Sequence, residues 1–241
     1  MKPLLYILLI AAIAVVYTAC KDDKDIIPQT HGRVMVFNSV PANAGYPAFN
    51  VFLDSTQIAN HLVTGDTSVF SVFRAQLYTV GIINASTNAT VSAGELTIRN
   101  NHSFSFYLVY DTLPAENQPN ITALATDDDL TPPVEQNSKV RVIDLSSTID
   151  GATTLRQPMT VMMDADSVLL YNGMVFPQVG DFRTIQPGTH KFYFRLLSDS
   201  AYMRRDSITL KMDSTHIYTI YTSGSLLRAD QFKVFSYRHW K

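Results

Sequence analysis

The 241 residues contain one cysteine, Cys20. No disulfide can therefore form within the chain, and a metal site built from several cysteines is excluded. Charge is also scarce. Asp, Glu, Lys and Arg make up 17% of the residues and the net charge is −2, which leaves no basic surface on which nucleic acid would collect. The six histidines form neither His-x-His nor His-Glu-x-x-His, so no metal ligand set and no cofactor site is expected. Neither a Gly-x-Ser-x-Gly elbow nor a glycine-rich phosphate loop after a strand occurs. No pair of carboxylates stands out as a glycosidase pair. The expectation is a protein without catalytic residues. Hydrophobic residues are plentiful at 46%, enough for a buried core.

The N-terminus reads as a processing signal. Lys2 precedes an apolar run, Leu4 to Val16, that is short of the ~20 residues a spanning helix needs. Thr18-Ala19-Cys20 follows, with Tyr17 where leucine is usual. This resembles the lipobox cut by lipoprotein signal peptidase. The resemblance implies a signal peptide over 1–19 and lipidation of Cys20; an ordinary signal peptide cut near Ala19 is the alternative. Several acyl chains hold a protein on a membrane where one gives only reversible binding. Lys21-Asp22-Asp23 resembles the surface-export signal of Bacteroidota lipoproteins. That implies an outer-membrane protein, lipid-anchored and facing outward, with the periplasmic face as the alternative. Residues 20–31 are then the lipidated tether, and a solvated charged tether is the plainer reading of the same run.

The rest of the chain repeats itself. Val34-Met35-Val36 matches Val140-Arg141-Val142 at an offset of 106 residues. Phe49 to Asp54 matches Met159 to Asp164 at 110, and Leu96-Thr97-Ile98 matches Ile208-Thr209-Leu210 at 112. Phe106-Tyr107-Leu108 matches Tyr218-Thr219-Ile220, again at 112. Two copies of one domain, 32–126 and 139–241, follow from these offsets. The segment between them, 127–138, has three aspartates and the Pro132-Pro133 pair and reads as a solvated linker.

Each copy reads as β. Phe49, Val51 and Leu53 alternate with Asn50, Phe52 and Asp54, and Phe192, Phe194 and Leu196 alternate with Lys191, Tyr193 and Arg195. A period of two marks half-buried strands. Gly65-Asp66, Asn100-Asn101, Gln186-Pro187-Gly188 and Asp213-Ser214 supply the turns. Asp54 and Asp164 are equivalent and read as turn initiators. The fold class predicted is all-β, two tandem sandwiches of two antiparallel sheets each.

These strand patterns resemble a known family. They comprise Val34 to Ser39, Phe49 to Asp54, Gly188-Thr189-His190-Lys191-Phe192 and Ile217-Tyr218-Thr219-Ile220-Tyr221. Together they resemble the domain of unknown function numbered 4397, an immunoglobulin-like β domain found in tandem in bacterial surface lipoproteins. The resemblance extends over both copies and implies fold and location, but no activity.

Two further patterns bear on function. Asp-Ser/Thr-apolar triplets place Thr112, Ser167, Ser200 and Ser207 in a context that resembles the O-glycosylation motif of exported Bacteroidota proteins; ordinary turn composition gives the same triplets. Tyr237 and Trp240 lie on the last strand, either as part of its packing or as an aromatic platform for a ligand. The sequence thus predicts a non-catalytic binding or spacer module at the outer membrane. Its partners are the membrane, through the lipid, and a glycan or another surface protein. A glycan-binding accessory of polysaccharide uptake and a fimbria-like subunit are the alternatives.

Overall fold

The structure is a computed structural model and describes residues 30–149, 155–164, 168–198, 206–228 and 230–239. Repeat one contributes eight strands: β1 (His31–Asn38), β2 (Phe49–Leu53), β3 (Thr56–Leu62), β4 (Ser71–Arg74), β5 (Leu77–Asn84), β6 (Thr90–Thr97), β7 (Ser103–Tyr110) and β8 (Ile121–Asp127). Repeat two contributes β9 (Ser138–Asp144), β10 (Met159–Met163), β11 (Val168–Met174), β12 (Gln178–Val179), β13 (Arg183–Ile185), β14 (Gly188–Leu196), β15 (Asp206–Met212), β16 (Ile217–Ser223) and β17 (Lys233–His239).

The two halves share one topology. Repeat one has sheets β4-β1-β7-β8 and β3-β2-β5-β6. Repeat two has β12-β9-β16-β17, with β13 also on β9, and β11-β10-β14-β15. Each strand of one has its counterpart in the other, except that β4 is replaced by the short pair β12 and β13. In each repeat the two sheets enclose an apolar core. Val36, Phe106 and Leu108 meet Phe49, Val51 and Val80 in the first, and Val142 and Ile220 meet Val161, Phe192 and Phe194 in the second. Alternation places these residues inward, and burying a side chain of this size is worth ~1.5–3 kcal/mol.

The sheets differ from the expected all-antiparallel pattern in one respect. β1 runs parallel to β7, and β9 runs parallel to β16. A parallel neighbour cannot be reached by a tight hairpin. The chain therefore builds the rest of the repeat before it returns to its opening strand.

Asp54 and Asp164 carry out the same turn in both repeats. Each takes a left-handed backbone, with φ of 49° and 52°. Each carboxylate accepts a backbone N–H from the neighbouring strand, Thr79 and Lys191 respectively. Aspartate tolerates this conformation and satisfies the strand end with its own side chain.

The repeats lie side by side rather than end to end. The outer faces of β1, β7 and β8 pack on the outer faces of β9, β16 and β17. Met35, Phe37, Tyr107 and Val109 meet Ile143, Leu145, Phe176 and Tyr221 in a third apolar cluster. Phe37 stacks on Tyr107 at 4.6 Å between centroids and meets Tyr221 edge-on at 5.5 Å. Gly65 is required here. Its φ is +86°, and a Cβ would lie 2.4 Å from the Phe235 ring.

A buried polar chain crosses the same interface. Arg141 and Asp128 form an ion pair at 2.6 Å, with side-chain exposures of 3% and 0%. Ser105 and Thr126 donate to the same carboxylate, and Arg141 donates from Nε to Thr219. Thr219 in turn bonds His239 Nε2 at 2.8 Å, while His239 Nδ1 has no partner. The start of the segment 127–138 departs from the solvated linker expected there, while most of its later residues are exposed or half-exposed. Asp127 closes β8 and Asp128 is buried. The cause is Arg141, which stands where repeat one has Met35 and needs a counter-charge once it is covered.

Candidate functional site

Strands β1, β7, β9 and β16 all point the same way. Consequently His31, the 127–138 segment and His239 gather at one end of the body, and the segments that follow these four strands gather at the other. Each end carries a cleft.

The cleft at the His31 end has a volume of about 710 Å³ and lies between Arg33, Asn101-His102-Ser103 and residues 127–132. Its charges are matched. His102 Nδ1 reaches Asp127 at 2.8 Å, Arg99 also pairs with Asp127, and Lys139 Nζ lies 3.2 Å from Asp129. Hydrogen bonds from Thr131, with the nearby Lys139, hold the Asp129 carboxyl below its ordinary range. Arg33 donates to Ser103 and lies over the Phe70 ring at 4.6 Å.

The far cleft, about 340 Å³, is composite. Repeat one supplies Pro41 to Ala44 after β1 and Tyr110 and Thr112 at the end of β7. Repeat two supplies Ser147 and Ile149 after β9 and Gly224 to Gln231 after β16. One wall is a closed network. Arg156 holds Asp111 at 2.7 Å, and Thr112 and Ser147 share a 2.8 Å hydroxyl contact. The other groups are uncommitted. The side chains of Asn43, Arg228 and Gln231 and the Tyr110 phenol make no hydrogen bond or ion pair among the described residues. Gly224 lets two segments of the wall pack closely. At φ +80°, a Cβ would meet the Gln231 carbonyl at 2.1 Å.

A third groove, about 530 Å³, opens in repeat two between the edge strand β11 and β13. His190 sits there, bonded to Asp164 at 2.7 Å and to the Gln186 carbonyl at 2.9 Å. Partial burial works against charge on Asp164, but the bonds from His190 and the Lys191 N–H outweigh it and leave its carboxyl below the ordinary range. Both imidazole nitrogens face acceptors, so this pair has no hydroxyl to activate.

The residues singled out in the sequence fall as follows. Cys20, Lys21, Asp22, Asp23, Ser167, Ser200 and Trp240 lie outside the described residues. Tyr237 is half-buried, edge-on to Phe37 at 5.2 Å and to His239 at 5.1 Å. Much of its ring is therefore engaged in the contact between repeats. Thr112 belongs to the far cleft, where its hydroxyl is already bonded. Ser207 lies half-exposed on β15. Among the described residues no group of three or more His, Cys, Asp or Glu side chains could hold a metal. The four uncommitted groups of the far cleft were not found by sequence reasoning. They carry no motif, and chain distance separates Asn43, Tyr110 and the segment that holds Arg228 and Gln231.

Fold and clefts together define a doubled β-sandwich protein. The model described as a domain of unknown function (DUF4397) matches residues 32–152, repeat one together with β9, and the chain belongs to that family. No curated protein matches. Solved structures match only at low similarity. A family 26 carbohydrate-binding module from Eubacterium rectale, in complex with maltoheptaose, is 10% identical with a TM-score of 0.27. That match covers 88% of this chain and 98% of that one. A streptococcal family 41 carbohydrate-binding module that recognises α-glucan is 11% identical at 0.27, over 85% and 96% of the chains. A Parabacteroides distasonis protein described as a candidate cell adhesion protein is 7% identical at 0.22, over 88% and 100%.

Proposed function

We propose that this protein is a non-catalytic binding module, lipid-anchored through Cys20 at the outer membrane, that takes its ligand in the far cleft. The observation that carries this reading is the side-by-side joining of equivalent sheets. It sets His31, where the tether arrives, at one end and a cleft made by both repeats at the other. Anchored in this way, the protein presents that cleft away from the membrane. A spacer gains nothing from the arrangement. Two sandwiches abreast reach no farther than one, roughly 25 Å for eight residues of strand. The non-catalytic reading is supported by His190, whose two ring nitrogens face the Asp164 carboxylate and the Gln186 carbonyl rather than a nucleophile.

The detergent-solubilised full chain, applied to arrayed glycans and secreted proteins, tests the site. Selective binding is expected, at least tenfold weaker in Asn43→Trp, whose indole would fill the cleft, and unchanged in His102→Ala at the opposite end. Binding that survives Asn43→Trp, or a folded chain that binds nothing, would overturn the reading. The anchor is tested separately. Cys20→Ser is expected to move the protein from the membrane fraction to the soluble fraction, and a variant that stays membrane-bound would remove the lipid from the account.

A further inference from the structure

We infer that the far cleft recognises a sugar bearing a carboxylate, a uronic acid or a chemical equivalent. The inference rests on the binding reading above and adds the class of ligand.

The lining is rich in groups that bind hydroxyls. Asn43 and Gln231 offer planar amides, each with donors and an acceptor, and the Tyr110 phenol can do both. Neighbouring ring hydroxyls present the matching pairs. The Tyr110 ring adds a flat apolar surface for the C–H face of a sugar. A peptide side chain would need an apolar pocket, and the lining has only Pro41, Ala44 and Ile149 for that purpose. A volume of about 340 Å³ suits one or two sugar rings.

Charge narrows the class. Two arginines stand at this site. Arg156 is taken by Asp111 at 2.7 Å and lies over the Phe176 ring at 4.6 Å. Arg228 is exposed and lines the cleft, and its side chain has no hydrogen-bond or ion-pair partner among the described residues. Among the described lining residues the site therefore offers one guanidinium without an ion-pair partner and no carboxylate. A guanidinium fork binds a carboxylate through two parallel hydrogen bonds. A neutral sugar would leave that charge unused.

Calorimetry on the full chain, with trigalacturonic acid and neutral galactotriose as probes, tests the inference. The Arg228 side chain is exposed and makes no hydrogen bond or ion pair among the described residues, and its backbone bonds to Ser225, Gln231 and Phe232 do not depend on the side chain, so Arg228→Gln should fold normally, which a thermal melt checks. Trigalacturonate is expected to bind at least tenfold more tightly than galactotriose. Its affinity should fall at least tenfold in Arg228→Gln and weaken as salt is raised, as befits an exposed charge. Equal binding of both sugars, lost in Asn43→Trp but kept in Arg228→Gln, would overturn the acidic class and leave the cleft in place. Trigalacturonate binding that survives both variants would overturn the cleft as well. No binding of either probe by the folded wild-type chain would overturn the inference.

Discussion

Arg141→Met should destabilise the folded protein by about 3–5 kcal/mol, the usual cost of stripping one partner from a buried ion pair. The Asp128 side chain has no exposed surface, so water cannot replace the guanidinium. Ser105 and Thr126 would remain as its hydrogen-bond donors. The size of the side chain is not at issue, because Met35 occupies the equivalent position in repeat one and is fully buried there. Coupling Arg141→Met with Asp128→Asn removes both formal charges, and the pair of changes should regain more than half of the loss. Denaturant unfolding of the parent, the single variant and the double variant measures all three. A single variant within about 1 kcal/mol of the parent would mean that the pair contributes no more than a surface one.

Asp144→Asn should act in the opposite direction and raise stability at neutral pH. Burial pushes the Asp144 carboxyl up to about 6, against hydrogen bonds from Ser146 and Thr222 that favour its charge. Its ordinary value is 3.8. Between those two values the folded state holds a proton that the unfolded state has released, so stability falls as pH rises through that window. Above about 6 the whole penalty is in place, at most about 3 kcal/mol at 1.4 kcal/mol per tenfold change in proton affinity. Repeat one shows the remedy. Asn38 stands at the same strand end, and its Oδ1 accepts the N–H of Val40 as Asp144 accepts that of Ser146.

His239 gives this prediction a second signature. Burial pushes its imidazole down to about 4 from 6.5, so the folded state resists protonation and stability falls as pH drops through that range. The two groups oppose each other between about 4 and 6. With Asp144→Asn the opposition disappears. Stability should then decline steadily on acidification from 6.5, where the parent is nearly flat. Thermal melts across that range would show it, and parallel profiles for parent and variant would refute the assignment.

The repeat was legible in the sequence because it is written in inward-facing residues. Val34 and Val36 against Val140 and Val142, or Phe106 and Leu108 against Tyr218 and Ile220, keep their apolar character at fixed offsets. The turn role of Asp54 and Asp164 was legible for the same reason. The contact between repeats was not. Its residues occupy the other face of those strands, where Met35 faces a counterpart Arg141 and Tyr107 a counterpart Thr219, so the repeat signal vanishes. A hint remained in β7 and β16, which carry large side chains on both faces, as a strand covered on both sides must. Asp128 was misread because a run of aspartates beside two prolines has the composition of a solvated loop, and only the chain path brings Arg141 to it. The far cleft draws on four segments spread from Pro41 to Gln231, and no local pattern could gather them.

The parallel pairing of each opening strand carries a consequence for how the chain acquires its shape. Arg33 meets Ser103 across 70 residues of sequence, and Arg141 meets Thr219 across 78. Neither sheet can close until almost all of its repeat is available. Such distant pairing slows folding, because the entropy of closing a long loop is spent before any contact is gained. Under the export proposed above, that delay would keep the chain unfolded while it is threaded through a membrane.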